Sequence, residues 1–279
     1  MSRHPRRQTA QQTVAIIERG GYTAPSGRTV ALADRIDAAV RGTVLYRPAE
    51  LDGLLARLPD AAGAGGGTRV EVTAETTLAA ARRLHDSGRT PLALNFASAK
   101  NPGGGFLNGA HAQEEGLARS SALYASLTSA REYYDFHRAQ CDLLYSDHMI
   151  YSPGVPVFRD DAGRLLEEPY DVAFLTSPAP NRGAIRDERA VARIPEVLRL
   201  RARKILAVAA HRGHQRLVLG AWGCGVFRND PAEVARAFAE PLAGEFAGRF
   251  DHVVFAVFDP ADGAPRRAAF ERVLAPLTS

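Results

Sequence analysis

Two adjacent carboxylates follow a run of three glycines at the predicted start of a helix. The glycines are Gly103 to Gly105, and the acids are Glu114 and Glu115. A carboxylic acid with a pKa near neutrality can donate a proton to a leaving oxygen and then accept one from water. Acids in a first helical turn also interact favourably with the helix dipole, so a purely structural role stays open. Because adjacent helical residues point about 100° apart, we expect one acid to act in the chemistry and the other to bind a sugar, rather than an ordinary glycosidase pair.

Polar side chains around these acids suit a sugar ligand. Asn95, Asn101 and Asn108 are three of the five asparagines in the chain, and neutral amides bind hydroxyl groups well. The glycines let the backbone approach a ligand and leave amides free to donate. His111 is either a general base or an ordinary loop histidine. Lys100 either contacts a phosphate or is a solvent-exposed residue without a role in the site.

A second glycine-rich segment has the sequence Gly-Ala-Trp-Gly-Cys-Gly-Val-Phe and covers residues 220–227. Its glycines permit an anion-binding turn, and the helix predicted to begin near Pro231 would present its N-terminus to a phosphate. The alternative is a simple strand-end turn before a helix. Cys224 is not expected to be a nucleophile, because no histidine lies nearby in the sequence and a backbone role suffices. Two such loops on one sheet predict a diphosphate site.

Strand and helix patterns alternate along most of the chain, which predicts an α/β fold with three layers (α/β/α) and a mixed, largely parallel sheet. In such sheets, ligands bind beyond the carboxyl ends of the strands, where both glycine segments begin. The predicted strands are 43–46, 70–73, 92–96, 172–176, 217–220 and 253–258, with a hairpin of 149–151 and 155–159. The predicted helices are 8–20, 50–58, 76–87, 114–127, 186–211 with a break at Pro195, 232–246 and 266–274.

A stretch of alanine and glycine, Ala61 to Gly67, indicates a flexible joint, because its glycines would lose much conformational entropy in a helix or a strand. It predicts an N-terminal accessory region with its linker over residues 1–67 and a main domain over residues 68–279.

The composition is that of an ordinary soluble globular protein, with 46% apolar and 24% charged residues. No run of about 18 apolar residues occurs, so no membrane partner is expected. The basic start of the chain, Met1 to Gln8, is not followed by an apolar segment, which argues against a secretory signal. Two cysteines, Cys141 and Cys224, are too few for a disulfide framework or a zinc cluster and fit a reducing compartment. We therefore expect a cytoplasmic protein without a bound metal.

Basic residues are concentrated between Arg182 and Lys204. This segment holds eight basic and three acidic residues, although the whole chain carries a net charge of only +4. The cluster either steers a polyanion to the protein or forms a solvated helix face.

The two glycine segments together resemble the bacterial-type poly(ADP-ribose) glycohydrolases, a branch of the macrodomain fold. The resemblance rests on Gly103 to Gly105, then seven residues, then Gln113 with the two acids, and on residues 220–227. It covers about residues 68–279, and the preceding region fits the helical extension of that group. The resemblance implies hydrolysis of the ribose–ribose O-glycosidic bond of poly(ADP-ribose) to release ADP-ribose, without metal or cofactor.

The resemblance also implies roles for individual residues. Glu115 takes the catalytic position, and Glu114 holds the adjoining ribose. The other implied substrate-binding residues are Asn101 and Gln113 beside the ribose, Gly104 and Gly105 in the first loop, Gly223, Cys224, Gly225 and Val226 around the diphosphate, Phe227 against a ribose, and Thr76 near adenine. The implied partners are poly(ADP-ribose) and ADP-ribosylated proteins, in the DNA damage response, with no direct DNA binding.

Other functions compete with this interpretation. A macrodomain can be a non-catalytic ADP-ribose-binding module, but Glu114 and Glu115 would then have no role in catalysis. A mono-ADP-ribosyl hydrolase is a close variant of the same chemistry. A nicotinamide-dependent dehydrogenase is disfavoured, because the glycines near residues 63–67 precede a predicted strand rather than follow it. Whether internal polymer bonds are cut stays open.

Overall fold

A computed structural model describes residues 2–58 and 67–278. The strands are β1 (Gly21–Thr23), β2 (Thr29–Ala31), β3 (Val44–Tyr46), β4 (Arg69–Thr73), β5 (Leu92–Phe96), β6 (Met149–Arg159), β7 (Leu165–Ser177), β8 (Arg216–Gly220) and β9 (His252–Ala256). The helices are α1 (Arg3–Arg19), α2 (Ala33–Arg41), α3 (Pro48–Ala56), α4 (Thr77–Asp86), α5 (Gln113–Ser120), α6 (Leu123–Ser129), α7 (Arg131–Ala139), α8 (Glu188–His211), α9 (Pro231–Ala243) and α10 (Pro265–Leu274).

A seven-stranded sheet with the order β3-β6-β7-β5-β8-β9-β4 forms the centre of the described structure. The five strands from β7 to β4 in that order run parallel, and β3, β6 and β7 pair antiparallel. Successive residues point to opposite faces: Leu217 and Leu219 pack in the core with α3, α8, α9 and α10, whereas Val218 packs in the core with α2 and α4 to α7. The prediction of a three-layer α/β/α fold with a mixed, largely parallel sheet is confirmed.

The strand order brings the two glycine-rich segments together. β5 and β8 are parallel neighbours, so the loops that follow them leave the same edge of the sheet. Gly220, the last residue of β8, has no room for a side chain, because a Cβ there would overlap the carbonyl oxygen of Ala256 and lie 3.2 Å from the ring of Phe96. The close approach explains why a glycine ends this strand.

The predicted helix over residues 114–127 was wrong as a single element. The chain breaks at Ser121, whose extended backbone (φ −143°) forms an isolated bridge with Val157 and separates α5 from α6. The Ser121 hydroxyl donates to the carbonyl of Leu117 and accepts the amide of Leu123, which satisfies backbone groups at the break. A tertiary contact with β6 therefore overrides a continuous helical pattern.

Two further predictions were corrected in detail. Residues 149–151 and 155–159, predicted as a hairpin, belong instead to one long strand, β6. The chain turns over residues 160–164, and β6 pairs with β7. The helix predicted over 186–211 was expected to break at Pro195, but α8 continues through this residue. The cost of a proline inside a helix, about 3 kcal/mol, is offset by the apolar face of α8 buried on the sheet, which includes Ile194 and Leu198.

The N-terminal region contributes to the large sheet, since β3 pairs with β6. The hairpin of β1 and β2 and the helix α2 were not predicted. The predicted joint falls almost entirely on residues 59–66, outside the described residues, and the division into 1–67 and 68–279 stays a prediction. Within residues 2–58 and 67–278, no helix has the combination of length and apolarity that a membrane crossing requires.

Candidate active site

The first glycine-rich loop, loop 1, covers residues 97–112 between β5 and α5 and holds the two acids with its backbone. The amide of Ser98 donates to Glu114 Oε2 at 2.6 Å, and the amide of Gly103 also donates to Glu114. The amide of Gly105 donates to Glu115 Oε1 at 3.0 Å. These backbone hydrogen bonds fix the orientation of both side chains.

Gly104 lies directly against both acids. Its φ of +60° is in the left-handed region, which favours glycine. A Cβ at this position would overlap Glu115 Oε1 and lie 2.9 Å from Glu115 Cδ and 3.2 Å from Glu114 Oε2. The middle glycine of the triplet is therefore required by the carboxylates themselves.

Glu114 is buried, whereas Glu115 is partly exposed. Burial raises the pKa of Glu114 to about 8, and the amide of Ser98 opposes this rise while the charge of Glu115 adds to it. Asn95 Nδ2 donates to Glu114 Oε1 at 3.3 Å and to Thr176 Oγ1 at 3.1 Å. At neutral pH Glu114 is thus mainly a neutral acid, and Glu115 is the carboxyl group that a substrate can reach.

The second glycine-rich loop, loop 2, covers residues 221–230 between β8 and α9. Trp222 is fully buried beneath it and donates from Nε1 to the carbonyl of Ser177 at 3.0 Å. Asn229, also buried, donates to the carbonyls of Pro180 and Gly223. Within the described residues, several amides of this loop have no hydrogen-bond acceptor, among them those of Gly223, Gly225, Val226 and Phe227. A row of free amides before a helix N-terminus is suited to binding an anion.

Exposed apolar side chains surround the two loops. Leu107 lies in loop 1, Val226 at the tip of loop 2 is 78% exposed, and Phe258 just after β9 is 61% exposed. These residues lie at the carboxyl edge of the sheet, where α/β folds bind their ligands, and are available to contact one. The ring of Phe227 lies 6.0 Å from that of Tyr145, whose backbone is left-handed (φ 56°).

Comparison with known proteins shows the family to which this chain belongs. Residues 10–160, more than half of the chain, match the family described as "Microbial-type PARG, catalytic domain". The poly(ADP-ribose) glycohydrolase (PARG) of Thermomonospora curvata is 68% identical, with 97% of this chain and 100% of that chain covered and a TM-score of 0.95. The chain belongs to the microbial-type PARG family.

Two ligand-bound PARG structures are also similar to this chain. The T. curvata enzyme bound to the inhibitor ADP-HPD is 67% identical over 97% of this chain and 99% of that chain, with a TM-score of 0.91. The PARG of Deinococcus radiodurans in complex with ADP-ribose is 50% identical over 90% of this chain and 100% of that chain, with a TM-score of 0.82. No match was found among curated proteins. The resemblance to bacterial-type PARGs is confirmed, and this PARG-family chain is a glycosidase.

Several residues that the PARG resemblance implied as substrate-binding have other contacts in this structure. Gln113 donates to Leu94 O at 2.8 Å and to Thr77 Oγ1 at 3.1 Å, and its carbonyl accepts the amide of Phe96 at 2.9 Å. These groups of β5 lie beyond the last pair that β5 forms with β8, Ala93 with Val218. The Gln113 amide thus replaces a missing strand neighbour and anchors the helix that carries the acids.

Two other implied residues also make structural contacts. Thr76 caps α4 by accepting the amide of Ala79 and donates to Asp161 at 2.7 Å. Burial raises the pKa of the Cys224 thiol to about 12, which agrees with its exclusion as a nucleophile. Asn101, in contrast, is exposed, and its side chain has no hydrogen bond within the described residues, so it is available to a ligand.

Sequence reasoning missed Tyr145 and Phe258 at this PARG-family site. Tyr145 belongs to an aromatic-rich segment whose position depends on the tertiary fold. Its carbonyl accepts a hydrogen bond from the buried Arg201. The available signal for Phe258 was its position as an aromatic residue at the end of the strand predicted over residues 253–258.

The raised pKa of Glu114 predicts a pH dependence. Between about pH 4.5 and 8 the unfolded chain releases a proton that the folded chain keeps, so the free energy of unfolding should fall as pH rises through this window. The value of kcat/KM should also fall above about pH 8, as the neutral acid is lost. Denaturation and kinetics at several pH values, compared with the Glu114→Gln variant, test both effects. A pH-independent difference in stability between the two proteins would contradict the assignment.

Proposed function

We propose that this chain hydrolyses the ribose–ribose O-glycosidic bond of poly(ADP-ribose) and releases ADP-ribose, with Glu115 as general acid and base. The observation that carries the proposal is the arrangement of loop 1, which holds one partly exposed carboxyl group, that of Glu115, beside the buried and mainly neutral Glu114. A single reachable acid must then serve both proton transfers.

The reaction proceeds in two steps at Glu115. The protonated acid donates to the 2′ oxygen of the leaving unit while the bond from C1″ to that oxygen breaks, and the bonding electrons remain on the oxygen. The ribose becomes an oxocarbenium ion, which the negative diphosphate stabilises. Water then adds to C1″ and gives its proton to the Glu115 carboxylate, which restores the acid. The amide of Gly105 holds Oε1 throughout, so Oε2 faces the reaction.

The neutral state of Glu114 supports this chemistry. The neutral acid can both donate to and accept from a ribose hydroxyl, whereas a charged carboxylate can only accept. In our proposal Glu114 holds the ribose next to the scissile bond, and the exposed amide of Asn101 assists it.

The remaining parts of ADP-ribose have partners in the same region. The free amides of loop 2, in the segment from Gly223 to Phe227, hold the diphosphate. Phe227 and Tyr145 pack on the ribose, and the exposed ring of Phe258 offers a surface for adenine. Thr76 acts by positioning α4, since its hydroxyl accepts the amide of Ala79 and donates its proton to Asp161.

The proposal includes ADP-ribosylated proteins as natural substrates, reversal of modification after DNA damage, and a cytoplasmic location. The support for these is the chemistry of the substrate and the two free thiols, which fit a reducing compartment.

Product analysis tests the proposed function. Purified protein incubated with labelled poly(ADP-ribose) should release free ADP-ribose, measured by chromatography. Polymer that is bound but not shortened would indicate an ADP-ribose-binding module instead. Release only from singly modified protein would indicate a mono-ADP-ribosyl hydrolase.

A further inference from the structure

The basic cluster between Arg182 and Lys204 divides into internal and surface residues. Arg201 and Lys204 are buried and form ion pairs with Asp147 at 2.8 and 2.6 Å. Arg203 pairs with Glu245 at 2.8 Å. These three cations are neutralised within the fold, so they are not available to steer a polyanion.

Two other arginines of the cluster lie beside loop 2. Arg182 and Arg186 belong to the segment that joins β7 to α8, and both are exposed. The amide of Gly183 donates to the carbonyl of Phe227 at 2.9 Å, and a Cβ on Gly183 would lie 3.1 Å from Arg228 Cδ. This segment therefore contacts the tip of loop 2 and places Arg182, Arg186 and Arg228 at one rim of the site. We call these three residues the rim arginines.

The rim arginines have no internal partners. Within residues 2–58 and 67–278, none of the three side chains makes a hydrogen bond or an ion pair. The acids on the same segments are engaged elsewhere, because Asp187 caps α8 and Asp230 caps α9. Three exposed guanidinium groups without partners suit bidentate binding of phosphate.

The order of the strands indicates which phosphates reach this rim. Along the sheet edge the order is β4, β9, β8, β5, β7. In the proposed function, one ADP-ribose unit extends from Phe258 after β9 to Glu115 after β5. Whatever is bonded to its reacting ribose continues towards β7, which leads into the segment with Arg182 and Arg186.

We propose that the rim arginines bind the diphosphate of the neighbouring ADP-ribose unit, the one that leaves when the bond is cut. This inference rests on the proposed function and adds a second, electrostatic subsite for the polymer. It makes affinity for polymer more sensitive to salt than affinity for ADP-ribose alone, because each phosphate that a cation neutralises releases a counterion.

The test compares two triple variants with the same change in charge. One replaces the rim arginines (Arg182→Gln, Arg186→Gln, Arg228→Gln). The control replaces exposed arginines further along α8, α9 and α10, also without partners in the described structure (Arg199→Gln, Arg236→Gln, Arg272→Gln). Binding of poly(ADP-ribose) and of ADP-ribose is measured at several salt concentrations, with Glu115→Gln present in every protein so that the polymer is not cut.

The rim variant should lose at least about tenfold in polymer affinity at low salt, and its slope of log affinity against log salt should fall by about 1.4, at roughly 0.7 for each of the two phosphates. Its affinity for ADP-ribose should match that of the control. Equal slopes for the two variants, or a parallel loss of ADP-ribose affinity, would overturn the inference. The proposed function fails separately, if protein with Glu115 intact releases no ADP-ribose from polymer.

Discussion

The Glu115→Gln variant should lose about 10³-fold or more in kcat while its affinity for ADP-ribose changes by no more than a few-fold. General acid or base catalysis contributes about 10² to 10⁴-fold, and here one residue performs both proton transfers. The amide of glutamine keeps the size of the side chain and can still accept the hydrogen bond from Gly105, so binding should survive. Rates of ADP-ribose release and calorimetric titration with ADP-ribose measure the two quantities.

Two matched changes isolate the role of Glu115. Glu240→Gln alters an exposed glutamate on α9 and should leave the rate unchanged. Glu114→Gln should have a smaller effect on kcat near pH 7 than Glu115→Gln, because Glu114 is already mainly neutral there. If Glu114→Gln abolished turnover and Glu115→Gln did not, the roles of the two acids would be reversed.

The Gly104→Ala variant should lose about 10²-fold or more in kcat/KM. The added methyl group would occupy the space of Glu115 Oε1 and press on Glu114 Oε2, so the carboxylates must move away from the reacting bond. Misplacement of a catalytic group by about 1 Å can cost about 10²-fold. The left-handed backbone adds a cost in stability of about 1–2 kcal/mol. Steady-state kinetics and chemical denaturation measure these effects.

Gly154→Ala is the matched control for that variant. Gly154 has a similar φ of +53°, but a Cβ there meets nothing within 4 Å. It should show the same backbone cost in stability with unchanged activity. If both variants lost activity equally, the contact between Gly104 and the carboxylates would not explain the effect.

The parts of the site that depend on local sequence could be predicted. Glycines followed by Gln113 and the two acids indicated a loop and a helix start, and the alternation of strands and helices indicated the sheet. The expectation that both loops lie at one edge of the sheet followed from a general property of parallel sheets, whereas the adjacency of β5 and β8 is seen only in the structure.

Features that depend on long-range contacts could not be predicted. The division of labour between the two acids is set by burial, and adjacent residues of one type give no sign of which is buried. Gln113 replaces a strand neighbour only because β5 and β8 separate after Ala93. The first helix, α1, reaches the site because Arg6 donates to the carbonyl of Gly109 at 2.8 Å, a contact across about a hundred residues. None of these contacts has a local sequence pattern.

A crystal structure of the Glu115→Gln variant with ADP-ribose bound tests the central claim most directly. We expect the diphosphate within hydrogen-bond distance of the amides in the segment from Gly223 to Phe227. We also expect the side chain at position 115 to lie closer to C1″ than the side chain of Glu114 does. Binding of the diphosphate away from loop 2, or a C1″ that faces Glu114 with residue 115 turned away, would contradict the account.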